Sequence, residues 1–165
     1  MRADRRVPCF ARCREESSRR TVDQKVMVTR TGEETVSEHP NVTQINRMTK
    51  AVFENDRDTL ADVFTENMAF HVRGALPGAG DHTGVDGFLS VLGKIFELTD
   101  GDVKIEQLFC AADARWATEW EHAVLGRNGR TLETNNAFVY RFDDERIAEM
   151  WMLCAATADH ESFWD

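Results

Sequence analysis

The sequence predicts an α+β domain in which a curved, mostly antiparallel sheet wraps around the helices that precede it and leaves a cone. Three observations carry this. Segments whose apolar residues recur every three to four positions come first, and segments that alternate every second position follow. Asn128-Gly129 stands between two long alternating runs, the strongest short-range sign of a β-hairpin. No internal repeat breaks the order, so the strands form a meander laid against the helices, and the open end of that layer is the natural pocket.

Taken in order, Asn41 is placed to cap a helix over "VTQINRMTKAVFEN", where Val42, Ile45, Met48, Thr49, Val52 and Phe53 make one apolar stripe. A second, short helix in "NDRDTLADVFTEN" turns Leu60, Val63 and Phe64 inward. "MAFHVRG" reads as a short strand. "ALPGAGDHTG" reads as a loop, punctuated by Pro77, Gly78, Gly80 and Gly84 and bounded by Gly74. "VDGFLSVLGKIFELT" is a third helix with Phe88, Leu89, Leu92, Ile95 and Phe96 facing the core. The strands "DVKIEQLFC", "ARWATEWEHAVLG" and "RTLETNNAFVYRF" come next, then "RIAEMWMLCA" and the tail "DHESFWD". Phe163 and Trp164 in that tail are expected to dock, on a pocket mouth or on a partner subunit.

Totals narrow the function classes. The 165 residues suffice for one domain with a real core, and the net charge of −9 argues against nucleic acid or an anionic membrane as partner. No run of about 18 apolar residues suggests a membrane span. Charge is uneven, with +4 over residues 1–26 against −13 over residues 27–165. The segment "MRADRRVPCFARCREESSRR" has no apolar stretch of a secretory signal and is rich in Arg and Ser, so disorder is expected. Met27 looks like a natural start, which makes residues 1–26 read as an over-long gene product, with a basic tail as the alternative. Residues 1–40 are therefore taken as an extension and 41–165 as the domain. Cys9, Cys13, Cys110 and Cys154 include no C-x-x-C pair and read as free thiols of a reducing, cytoplasmic protein. The five histidines show no metal-ligand spacing, so neither a metal nor a cofactor is expected.

The hairpin sharpens the picture. A two-residue turn at Asn128-Gly129 pairs Leu125 with Leu132 and, outward along the strands, Trp116 with Arg141. Side chains alternate, so one face carries Glu119, Glu121 and Asn136 together with Phe138 and Tyr140. The other face carries Trp116 and Trp120 with a polar rim, as befits a surface that packs on a second subunit. Carboxylates buried among rings acquire raised pKa values unless hydrogen bonds hold them, and raised carboxyls in clefts are candidates for chemistry. The alternative is a sheet face open to water with a solvated Glu pair.

The order helix–helix–strand–helix–meander, with "NDRDTLADVFTENMAFHVRG", "GDHTGVDGFLSVL" and "RIAEMWML", resembles the SnoaL-like branch of the nuclear-transport-factor-2-like superfamily, the ketosteroid isomerase-like fold. The resemblance spans residues 41 to about 164. It implies a cone-shaped barrel with a deep hydrophobic pocket, often dimeric through the outer sheet face. Ketosteroid isomerases have a tyrosine in the first helix, a base aspartate on the first strand and a neutral aspartic acid on a long strand. Met48, Val72 and Phe138 match those positions, and none moves a proton. A one-residue shift puts His71 in place of Val72. Polyketide-cyclase relatives carry a histidine and an acid where this chain has Met150 and Met152, followed by Cys154. Arg141 and Asp143 stand near the Arg/Asp arrangement of limonene epoxide hydrolases, but at the sheet edge.

The expected site therefore has Glu119 or Glu121 paired with His71 as acid and base, while Tyr140 or Asn136 holds the substrate oxygen. Phe138, Met48, Val72, Met150 and Met152 would line the pocket and His82 would sit in a loop over it. The function implied is binding, or cofactor-independent isomerisation, cyclisation or hydrolysis, of a small hydrophobic carbonyl or polyketide-like ligand by a homodimer. The alternative is a ligand-binding or dimerisation module that has lost the family's acid/base residues.

Overall fold

The structure, a computed structural model, describes residues 38–165; the extension expected for residues 1–26 and the leader up to residue 37 lie outside the described residues. Its elements are α1 (Pro40–Glu54), α2 (Arg57–Val63), β1 (Phe64–Arg73), β2 (Gly80–Thr83), α3 (Gly84–Leu98), β3 (Val103–Ala112), β4 (Trp116–Arg127), β5 (Arg130–Asp143), β6 (Arg146–Leu153) and α4 (Ala158–Trp164). The sheet runs β2-β1-β6-β5-β4-β3, and only the β1–β6 pair is parallel. The α+β expectation holds, with three N-terminal helices on a six-stranded, mostly antiparallel sheet.

The β4–β5 register is the one the Asn-Gly turn dictates. Every pair from Trp116–Arg141 to Arg127–Arg130 is in place without a bulge. Asn128 and Gly129 both have positive φ, 51° and 72°, as a type I′ turn requires.

Four local expectations need correction. Asn41 is not the cap of α1: His39 takes that place, its Nδ1 accepting from the Asn41 backbone N–H at 3.2 Å, and Pro40 fits the first turn because it needs no donor there. Freed from capping, the Asn41 side chain donates to the Asp113 carbonyl at 2.8 Å and ties α1 to the β3–β4 turn. Phe64 opens β1 instead of ending α2, pairing with Ile147 of β6. Within the glycine-rich stretch, Gly80–Thr83 is an edge strand against Ala69–Val72. Its two-residue alternation is too short to be legible. The tail forms α4, with Thr157 as its cap.

The core lies between the helices and the inner sheet face. Ile45, Met48, Leu60, Phe88 and Val91 meet Phe70, Tyr140, Ile147 and Met150 there. Phe88 stands edge-on to Phe64 and Phe70, with centroids 5.0 and 5.2 Å away. Phe53, expected in the apolar stripe, instead stays 55% exposed at the end of α1. Gly74 carries the chain out of β1 at φ +113°, and a Cβ there would lie 2.1 Å from the Cys154 carbonyl oxygen. Only glycine fits this close approach. Among the described residues, no helix is long and apolar enough to cross a membrane.

Candidate active site

Between the sheet and helices α1 and α3 lies a cavity of about 440 Å³. Met48, Phe70, Phe88, Leu92, Ile95, Phe138, Met150 and Met152 are part of its apolar wall. Set into that wall are Glu119, Glu121, Asn136 and Tyr140. The two glutamates are 5% and 7% exposed, and Asn136 is 5% exposed, so these polar side chains of the hairpin's inner face are buried. Strand alternation places them there: every second residue of β4 from Ala117 to Leu125 points inward.

The two carboxyls are held differently. Glu119 Oε1 accepts from Gln107 Nε2 at 2.7 Å, and Oε2 accepts from the Tyr140 hydroxyl. Gln107 Nε2 also lies 3.4 Å from Asn46 Oδ1 on α1. Burial, and then the negative field of Glu119, push the Tyr140 phenol well above its ordinary range, so it remains a proton donor. Glu121 Oε1 accepts from Asn136 Nδ2 at 2.8 Å. Burial pushes the Glu121 carboxyl up to about 7; the Asn136 hydrogen bond opposes this and the Glu119 charge adds to it. A carboxyl with that pKa can both take up and release a proton at neutral pH.

The structure gathers Glu119, Glu121, Tyr140, Asn136, Phe138, Met48, Met150 and Met152 around one cavity. It separates three others. His71 does not meet the glutamates: Phe70 and Val72 face inward, so the residue between them faces out. There its Nδ1 lies 2.8 Å from Asp81 Oδ1 and its Nε2 3.1 Å from Glu149 Oε1, with the ring stacked on Trp151. Val72 is packed within the core and does not reach the cavity wall. His82 is no pocket cover; its Nε2 donates to the Gly78 carbonyl at 2.7 Å and secures the loop. Arg141 forms a surface network with Glu149 and Asp143.

Gln107, which lines the cavity and donates to Glu119, is the candidate-site residue that the sequence did not disclose. The β3–β4 register shifts between Gln107 and Phe109, so alternation counted along β3 cannot assign its face. Burial pushes the Cys110 and Cys154 thiols, both free, up to about 12, which keeps them protonated and poor nucleophiles. Cys9 and Cys13 lie outside the described residues. No group of three or more His, Cys, Asp or Glu able to hold a metal ion occurs among the described residues.

Comparison with known proteins agrees with this architecture. The model of the SnoaL-like domain family matches residues 45–150. No functionally curated protein matches the chain. Among solved structures, Bal32a from a soil-derived mobile gene cassette superposes with a TM-score of 0.66 at 23% identity, covering 76% of this chain and 97% of that one. An NTF2-like protein from Burkholderia xenovorans LB400 gives 0.62 at 18% identity, covering 77% and 96%. A proposed SnoaL-like polyketide cyclase from Jannaschia sp. CCS1 gives 0.60 at 10% identity, covering 74% and 90%. With the matched segment running from within α1 to Met150 in β6, the chain belongs to the SnoaL-like domain family.

Proposed function

We propose that the chain is a cofactor-independent acid/base catalyst of the isomerase or cyclase type, acting on a small hydrophobic carbonyl compound. The observation that carries this reading is Glu121, a carboxyl pushed up to about 7 on the wall of an apolar cavity. As carboxylate it takes a proton from the carbon beside the substrate carbonyl. The second N–H of Asn136 Nδ2 faces the oxygen on which charge develops. The resulting enolate either receives the proton back at another carbon, shifting a double bond, or forms a C–C bond to a second carbonyl carbon, whose oxygen takes the proton from Glu121 and becomes a hydroxyl. Glu119, fixed by Tyr140 and Gln107, supplies the negative field that helps hold Glu121 at its raised value. A volume of about 440 Å³ suits a drug-sized ligand, and the polyketide class in the description of the Jannaschia protein is of that kind.

The test is solvent deuterium exchange at the α-carbon of 2-tetralone. The wild-type chain is expected to accelerate exchange, with a rate that rises as pH climbs through about 7. Glu121→Gln is expected to lose about 10²-fold or more of that acceleration. Equal rates for the two proteins would remove Glu121 from the proton transfer.

The outer sheet face supports a homodimer. Phe109, Trp116 and Trp120 are 52%, 42% and 47% exposed, and Trp116 stacks against Trp151. Clustered exposed aromatics on a sheet face mark a protein contact, and the second copy offers the same rings. Sedimentation is expected to give a dimer, and Trp120→Glu a monomer. A wild-type monomer at micromolar concentration would remove this part.

A further inference from the structure

The wall of the cavity includes one hydrogen-bond donor with nothing to donate to. Trp164, the last residue of α4, lines the cavity. Its indole Nε1 is buried and has no acceptor, the one such side-chain atom among the described residues. Buried indole N–H groups ordinarily find an acceptor, so an orphan on a cavity wall calls for a reason.

Its position supplies one. Inward-facing pairs succeed one another along β4 and β5: Glu119 with Phe138, Glu121 with Asn136, Ala123 with Thr134, Leu125 with Leu132. Phe163 packs with Leu125 and Leu132, and Trp164 lies against this cluster. Four strand residues separate Glu121 from Leu125, roughly 13 Å. The acid/base carboxyl and the indole thus stand toward opposite ends of one apolar wall. The other polar group that α4 brings to the wall, His160, is already occupied, with Nε2 2.8 Å from Thr134 Oγ1 and Nδ1 2.7 Å from Thr157 Oγ1.

The hairpin grips α4 from outside. Arg127 donates to the Phe163 carbonyl at 2.7 Å, and Arg130 donates to the carbonyls of Ser162 and Phe163 at 2.7 and 3.0 Å. A non-helical stretch, residues 154–157, joins α4 to β6. The helix is therefore anchored to the hairpin at both ends, by these bonds at its end and by His160 on Thr134 at its start, which fixes the indole at the cavity wall.

We propose that the Trp164 indole N–H is a second polar subsite, donating to an oxygen at the far end of an elongated ligand. This rests on the reading of the cavity as a ligand site and narrows the ligand class. It selects a flat apolar skeleton of two or more rings that bears an acceptor oxygen remote from the reacting carbonyl.

The test uses the full chain and two probes of one skeleton, 4,4′-diacetylbiphenyl with a carbonyl at each end and 4-acetylbiphenyl with one. Wild type is expected to prefer the diketone by about fivefold, the worth of one buried hydrogen bond. Trp164→Phe is expected to lose the preference, binding diketone and monoketone with equal affinity. In wild type, the Trp164 indole proton resonance should move downfield on adding the diketone, a readout that needs no variant. A preference that survives in Trp164→Phe, or an indole resonance the diketone leaves in place, would overturn the subsite. Failure of both probes to bind wild type would overturn it together with the ligand-site reading. Because the preference is a binding readout, it stands or falls separately from proton transfer at Glu121.

Discussion

Glu121→Gln is expected to make the protein more stable than wild type at pH 8, by about 3 kcal/mol, and to leave it nearly unchanged near pH 4. A carboxyl that titrates at 4.5 in the unfolded chain and at about 7 in the fold binds its proton more tightly when folded. Between those values the native state holds more protons than the unfolded one, so stability falls as pH rises. The loss begins near 4.5, is complete above about 7, and amounts to about 3 kcal/mol for this one group. Glutamine keeps the Oε1 acceptor that Asn136 Nδ2 uses and carries no charge to bury. Urea unfolding of both proteins at the two pH values checks it. Parallel stabilities across the range would mean that the buried carboxyl carries no desolvation penalty.

Phe88→Ala is expected to cost about 3–5 kcal/mol at any pH, the largest single loss anticipated among the residues discussed. Phe88 is 2% exposed and packs edge-on against both Phe64 and Phe70, so its ring locks α3 onto β1. It also lines the cavity, so truncation widens the pocket instead of leaving a sealed void. Phe53→Ala is the control. That ring lies at the cavity rim, 55% exposed and edge-on to Phe96 at 6.4 Å, and its removal should cost below about 1 kcal/mol. Thermal unfolding separates the two. Equal costs would show that α3 does not depend on the Phe64–Phe70–Phe88 cluster.

The contrast between Glu121 and His71 shows what a single chain discloses. Glu121 was legible because one turn, Asn128-Gly129, fixes a long register, and alternation then assigns every side chain of β4 and β5 to a face. His71 was misplaced because no such turn anchors β1, and a one-residue uncertainty exchanges the two faces. Gln107 was hidden by the register shift in β3, a main-chain event with no side-chain signature. The three helices were legible from their apolar stripes. The cap of α1 was not, since His39 and Asn41 both offer an acceptor and tertiary contact with Asp113 decides between them. Trp164 was expected to dock, and α4 gives it a place on the cavity wall.

The proposed chemistry requires a desolvated, proton-exchanging carboxyl on the inner face of the hairpin. Its most direct test is a carbon-13 titration of the Glu121 side-chain carboxyl in glutamate-labelled protein, with the resonance assigned through Glu121→Gln. The expected midpoint is near 7. A midpoint at the ordinary glutamate value of about 4.3 would mean that water reaches Glu121 freely, and would contradict the proposed chemistry.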